Sequence, residues 1–330
     1  MSNPSVATPI TETLKTARSS ALLKRWAPPL ILPLLGIIGF LLCWQLVANN
    51  IQTSLGQFPG PVQVSEQFSG LVSAHLREGE KARRFYERQD TRNAALLVKN
   101  PAAEVKVRPY TGKPTFVQQI FTSLYTVMAG FAIASLIAIP LGIVCGLSKT
   151  IYTAINPLIQ VFKPVSPLAW MHLVTMLVSA LYVSDDPLFA KSFLTSAITV
   201  ALCCLWPTVI NTTVGVASIE QDLNNVSKVL SLSPLSHVRR IVLPAAVPMI
   251  FTGLRMSLGT GWMVLIAAEM LAQNPGLGKF IWDEFQNGSS NSLGRIMVAV
   301  IVIGLIGFAL DRLMLLLQRQ FSWDKNAVLR

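Results

Sequence analysis

The chain has 330 residues, 52% of them apolar and only 13% charged, with a mean hydropathy of +0.52. An average soluble domain carries about 25% charged residues, so this composition excludes a soluble globular enzyme, a disordered chain and a disulfide scaffold. The net charge of +11 is spread between apolar blocks and not gathered in an aromatic-interleaved stripe, so it reads as loop charge and gives no nucleic-acid partner.

Residues 1–27 form a polar tail rich in Ser, Thr and Pro that ends in Lys24-Arg25-Trp26. The apolar stretch from 28 to about 48 exceeds the 7–15 residues of a signal-peptide core and has no clear A-x-A site; it reads as a retained first transmembrane helix, 28–50. A 64-residue outer loop, 51–114, follows. Within it, residues 71–99 read as a solvated helix with Glu80/Arg84 and Arg83/Glu87 at i,i+4, or as a docking surface for an extracytoplasmic partner.

Five further spans are expected at about 117–146, 152–183, 191–216, 244–272 and 294–317, within a core of residues 115–318. Pro157, Pro164 and Pro167 interrupt the third. Broken backbone at membrane depth survives only when buried in protein or lining a watery cavity, so this segment is expected to line something. The second span carries Gly130, Ala134, Ala138, Gly142 and Gly146 at spacing four, a small-residue face for close helix packing.

Lys15, Arg18, Lys24 and Arg25 place the N-terminus inside; six spans return the C-terminal tail, 319–330, to the same side, with Arg312, Arg319, Lys325 and Arg330, and leave Asp185 and Asp186 outside. The ten basic residues of the 51–114 loop run against the rule, which weakens for loops beyond about 60 residues. Cys43, Cys145, Cys203 and Cys204 all sit inside apolar blocks with no metal spacing and read as packing residues.

Catalytic patterns are missing from the sequence. Gly276-Leu277-Gly278-Lys279-Phe280 lacks the spacing and hydroxyl of a phosphate loop, and His75, His172 and His237 lie in three different regions. The informative stretch is 217–243, between the fourth and fifth spans. A short amphipathic helix is expected at about 220–232, with Leu223, Val226, Val229 and Leu230 on one side, suited to docking in a cleft of another protein. The other reading is a helix packed on its own bundle.

This stretch resembles the EAA loop of permease subunits of bacterial binding-protein-dependent ABC importers, whose pattern is Glu-Ala-Ala, three residues, Gly, nine residues, Ile-x-Leu-Pro. Ile241-x-Leu243-Pro244 fits; counting back puts Ser231 at the Gly position and Asn225-Val226-Ser227 at Glu-Ala-Ala, a departure from the pattern. The likeness runs over about 115–318 through Asn156-Pro157-Leu158, Pro164-Val165-Ser166-Pro167-Leu168-Ala169-Trp170, Trp206-Pro207-Thr208, Gly253-Leu254-Arg255 and Ala267-Ala268-Glu269-Met270-Leu271. It is similar to the subfamily importing nitrate, nitrite, cyanate, bicarbonate, sulfonates and taurine. Gly276-Leu277-Gly278-Lys279-Phe280-Ile281-Trp282-Asp283 and Val214-Gly215-Val216 look closest to nitrate permeases; His172 stands where relatives often carry Pro.

The resemblance implies an all-α membrane protein with six transmembrane helices of the type I importer fold and a cytoplasmic coupling helix, in a bacterial inner membrane. It implies a second permease copy, two ATPase subunits that bind ATP and Mg, and a periplasmic binding protein; this chain itself would carry no cofactor and no catalysis. The residues carrying ATPase coupling would be Leu223, Asn225, Val226, Ser227, Val229, Leu230, Ser231, Ile241, Leu243 and Pro244.

For the membrane path, Arg255 inside the fifth span and Lys163, Trp170 and His172 around the proline break are expected to meet a small anion, since cationic linings lower the barrier for anions. The rival is structural: Arg255 bonded to a carbonyl of a neighbouring helix, or Lys163 snorkelling to the inner face. Glu269 is expected near the outer face. An importer of nitrate or nitrite is the leading reading; bicarbonate, cyanate or sulfonate cargo, an ATP-independent channel or secondary transporter, and a membrane-embedded enzyme are the others.

Overall fold

The computed structural model describes residues 31–53, 56–100, 104–105, 107–183 and 188–321. Lys15, Arg18, Lys24, Arg25, Asp185, Asp186, Lys325 and Arg330, on which the sidedness expectation rests in large part, lie outside the described residues. The chain divides into two compact units, residues 1–65 and 66–330.

In the first unit, α1 (Ile31–Asn50) presents large apolar side chains on nearly every side, with Leu32 68% and Phe40 66% exposed, as a lipid-facing span requires. A two-residue hairpin, β1 (Gln52–Thr53) with β2 (Gly56–Gln57), follows it. The Trp44 indole N–H donates to the Pro59 carbonyl at 3.1 Å, folding the chain back onto the end of α1.

The second unit, from residue 66, is a helical bundle, and the helix that leads into it begins within the first. α2 (Pro61–Lys99) starts ten residues before the expected helix at 71, with Pro61 at its first position, which suits a helix start. Its expected ion pairs are present: Arg83–Glu87 at 3.4 Å and Arg84–Glu80 at 3.9 Å. The returning segment lies along it through Arg108 N–H to Gln89 Oε1 and Tyr110 N–H to the Tyr86 hydroxyl. The Tyr110 hydroxyl donates to Glu78 at 2.7 Å; this bond lowers the Glu78 carboxyl below its ordinary pKa and raises the Tyr110 phenol.

α3 (Phe116–Leu147) opens on a capping box, in which Thr115 Oγ1 accepts from the Gln118 N–H and Gln118 Oε1 accepts from the Thr115 N–H. Its small-residue face packs on α6 (Lys191–Ala217). A Cβ on Gly130 would stand 2.6 Å from the Ala197 carbonyl, and one on Gly142 2.6 Å from Thr212 Cβ. Water supplies no drive between helices in lipid, so close backbone approach and hydroxyl bonds hold them instead.

α6 is the central helix, with α3 on one side and α9 (Leu243–Ala272) on the other. Thr208 Oγ1 and Ser257 Oγ share a bond of 2.6 Å, and Ser257 Oγ donates to the Cys204 carbonyl. Cys204 Sγ donates to the Ser257 carbonyl, so the cysteine packs as expected and also bonds. α11 (Ser292–Phe321) closes the bundle against α9, with the Trp262 N–H donating to Ile303 O and Gln318 to Pro248 O.

The proline-rich third span is two helices, α4 (Lys149–Phe162) and α5 (Pro167–Leu181), bent by 98° at the break. Five described helices are long and apolar enough to cross a membrane, and six spans result if the bent pair counts as one. α10 (Leu277–Asn287), which no sequence signal had suggested, stands between α9 and α11.

Candidate coupling segment and membrane path

The ends of α3 and α6 and the start of α9 share one end of the bundle, and there the chain makes α7 (Gln221–Val229) and α8 (Pro234–His237). α7 is shorter than the expected 220–232 because it stops in a Schellman turn. The Leu232 N–H donates to Ser227 O at 3.1 Å and the Ser231 N–H to Lys228 O at 3.0 Å. Ser231 sits at φ 48, the left-handed conformation that glycine adopts most easily. The residue counted onto the glycine of the EAA pattern thus holds a glycine conformation.

Asp222 in the first turn and Lys228 in the last match the α7 dipole. Leu223, Val226 and Leu230 at i, i+3 and i+7 form an exposed apolar face, 41%, 50% and 63% accessible, with Val229 beside it at 83%. Asn225 is exposed. Ser227 faces the other way, buried, with its hydroxyl 2.8 Å from His237 Nδ1. Behind α7 lies a cavity of about 540 Å³ lined by Gly146, Val216, Ser227, Lys228, Ser231 and His237, among others.

A π turn, Val238–Val242, then feeds into α9. Val242 is buried with Val216, Ala246 and Ile250, while Ile241 and Pro244 are half-buried and Leu243 is exposed. The Ile-x-Leu-Pro element therefore anchors the segment to the bundle, and α7 presents the free apolar surface.

At the break between α4 and α5, Ser166 caps α5 by accepting the Leu168 N–H at 3.3 Å, and Pro167 follows at the first helical position. Lys163 is exposed at the end of α4. Half-buried Trp170 lies 5.7 Å from the Phe162 ring, which stacks on Trp206 at 6.1 Å. Trp206 Nε1 is buried and has no hydrogen-bond partner among the described residues. His172 is exposed, with Nδ1 2.7 Å from Leu168 O.

Arg255 is apart from this group in its bonding. Its Nε and Nη2 donate to the two oxygens of Asp311 on α11, at 2.5 and 2.9 Å. A planar fork on a carboxylate is the strongest geometry open to Arg. Sequence reading missed Asp311; the Asp311-Arg312 pair inside an otherwise apolar span was the available signal.

It also missed what surrounds Glu269, which is fully buried near the far end of α9. Both carboxylate oxygens accept from Ser123 Oγ, at 2.9 and 2.8 Å, and Oε2 also accepts the Gly278 N–H at 3.0 Å. Ser123 Oγ in turn accepts the Leu277 N–H at 2.8 Å. The tie joins α3, α9 and α10 at the end opposite α7.

Residues 138–323 match the family described as binding-protein-dependent transport system inner membrane component. The chain is 34% identical over 293 residues to the nitrate import permease protein NrtB of Synechocystis sp., covering 89% of this chain and 90% of the relative. It is 34% identical over 312 residues to the bicarbonate transport system permease protein CmpB of Synechococcus elongatus, covering 93% and 96%. The inward-facing MetNI methionine ABC transporter superposes with a TM-score of 0.51 over 63% of this chain and 96% of that chain, at 16% identity, a likeness of fold. A bundle with a broken span, a short exposed helix before Ile-x-Leu-Pro, and near full-length relatives all agree: the chain belongs to the inner-membrane permease subunits of binding-protein-dependent ABC importers.

Proposed function

We propose that the chain pairs with a second copy of itself to import a small, planar, monovalent oxyanion, nitrate or nitrite first and bicarbonate next. A periplasmic binding protein delivers the ion, and two ATPase subunits, which bind ATP and Mg, grip α7 from the cytoplasm, where both termini lie. The observation that carries coupling is the apolar face of Leu223, Val226 and Leu230, exposed beyond the apolar spans and held in place by the Schellman turn and the buried Val242. A helix in this state gains by laying that face into a groove of a partner. Asn225, Ser227, Val229, Ser231, Ile241, Leu243 and Pro244 frame it.

Relatives named for nitrate and for bicarbonate cover the chain almost equally, which supports the oxyanion class. Identity reaches 40% over 195 residues with the nitrate import permease protein NrtB of Leptolyngbya laminosa, which favours nitrate. Both ions are flat, singly charged and rich in acceptor oxygens, so one path would suit either. Lys163, Trp170 and His172 at the break supply cationic and donor groups for it. For Arg255 the structural reading is preferred, because Asp311 already neutralises it.

The test is uptake by vesicles holding the permease with its ATPase and binding protein, supplied with ATP and either labelled nitrate or labelled bicarbonate. ATP-dependent accumulation of nitrate over bicarbonate is the expected result. Accumulation of bicarbonate alone would reassign the cargo, and ATP-independent flux would reinstate the channel.

A further inference from the structure

The Glu269 site has an unusual composition. A fully buried carboxylate meets neutral donors, Ser123 Oγ, the Gly278 N–H and the Asn274 side chain, and no Lys, Arg or His forms an ion pair with it among the described residues. A buried charge without a counter-ion is expensive unless its hydrogen bonds are complete, so such a group persists only where the fold is shaped around it. Here the fold is so shaped. A Cβ on Gly276 would fall on the Glu269 carboxylate, and a Cβ on Gly278 would fall on the Ile266 carbonyl, so both glycines of Pro275-Gly276-Leu277-Gly278 are required by the close approach.

The carboxylate stands at the N-terminal end of α10, where backbone N–H groups and the helix dipole favour negative charge. Ser123 links it to α3 and accepts the Leu277 N–H as well. Asn274, also buried, donates to Thr126 Oγ1 at 3.2 Å and adds a second strap between the α9–α10 turn and α3. Base contacts of α2 reach the same end, with His75 Nδ1 2.7 Å from Thr115 Oγ1 and Gln67 donating to Asn291.

We infer that Glu269 is a positioning residue for transport, an internal oxyanion that locks α3, α9 and α10 into one rigid body at the end of the bundle opposite the coupling helix. Motion started at α7 reaches the far end only if these three helices move together. Because the lock is made by donors gathered on a planar carboxylate, a free planar carboxylate of the same shape fits the vacated place. The inference rests on the transport reading for its consequence and not for its chemistry, and the two can fail separately.

The test uses Glu269→Ala and Glu269→Gln in the full complex with its ATPase. Glu269→Ala should lower the unfolding temperature by several degrees, and formate should restore part of that loss while leaving the wild type unchanged; chloride should not. Glu269→Gln, which keeps size and loses the charge, should assemble and hydrolyse ATP while losing most of its substrate uptake per ATP. Ser123→Ala, which removes one donor and leaves the carboxylate, should shift the same ratio in the same direction by less. Absence of formate rescue, or wild-type uptake per ATP in assembled Glu269→Gln, would overturn the lock. If the complex moves neither nitrate nor bicarbonate while formate rescue holds, the lock stands and the cargo assignment falls.

Discussion

The two ends of the bundle solve opposite problems. Around Glu269, buried polar groups make their bonds within the chain: Ser123, Gly278, Asn274 and Thr126 find partners, and Gln119 Oε1, one turn before Ser123, does not. At the α7 end, apolar groups are exposed, and the chain offers them nothing; Val229 and Leu230 stand 83% and 63% accessible. A satisfied polar network rigidifies, whereas an unsatisfied apolar face invites a partner. The Glu269 site is therefore completed within the chain, and the α7 face is the one that the proposed ATPase would complete.

The largest effect that would break this contrast is at Leu230. Replacing it with Asp would place a carboxylate where the proposed ATPase groove would close, and burial of an unpaired charge costs several kcal/mol. ATPase co-purifying with the permease should fall to background while membrane insertion continues. Undiminished ATPase retention together with normal uptake would remove α7 from the interface.

Gly142→Leu should come next. A Cβ there already meets Thr212, and a whole isobutyl group must push α3 off α6, at a cost of about 1–3 kcal/mol or more by overpacking. Folded permease in detergent should drop sharply, with no change of ion preference in the fraction that folds. An unaltered yield would show that the α3–α6 seam has room.

The Arg255–Asp311 pair tests the middle of the bundle, between the two ends. Arg255→Ala and Asp311→Ala should each destabilise, and the double variant should recover part of the sum, with a coupling of about 1 kcal/mol because both groups are about a third exposed. Arg255→Lys keeps the charge and loses the fork. Additive losses, or normal stability with altered uptake, would return Arg255 to the anion path.

Local chemistry was legible in the sequence, and long-range pairing was not. The spacing of Gly130, Ala134, Ala138, Gly142 and Gly146 announced a packing face, since a period of four marks one helix side, but nothing in it named α6 as the partner. Pro164 and Pro167 announced a break, and the 98° bend is there. The α7 face was visible in Leu223, Val226 and Leu230; its end was not, because Ser231 hides a left-handed residue under a side chain that seldom adopts one. Glu269 and Ser123 are 146 residues apart, as are no residues that helical periodicity can relate. Asp311 was overlooked for a similar reason, as its partner lies 56 residues away.

The smallest effect, at Ser231, sharpens the comparison most directly, because it alters the α7 end without touching its apolar face. A left-handed L-residue costs roughly 1–2 kcal/mol, while glycine costs about 0.5–1 kcal/mol in extra unfolded-chain entropy, so Ser231→Gly should firm the Schellman turn by less than about 1 kcal/mol. Ser231→Val should loosen it, since a β-branched residue resists positive φ. Hydrogen exchange reads this locally: the Ser231 and Leu232 amides, bonded to Lys228 O and Ser227 O, should exchange more slowly in Ser231→Gly and faster in Ser231→Val. With the ATPase bound, the differences among the three should shrink, because the groove then holds α7 whatever its own turn contributes. Amides at Leu277 and Gly278, tied to Ser123 and Glu269 at the other end, should stay protected in all three with or without ATPase. Equal exchange at Ser231 in the three free permeases would mean that the turn is held by the bundle and not by its own residues, and that the α7 end is as complete without its partner as the Glu269 end.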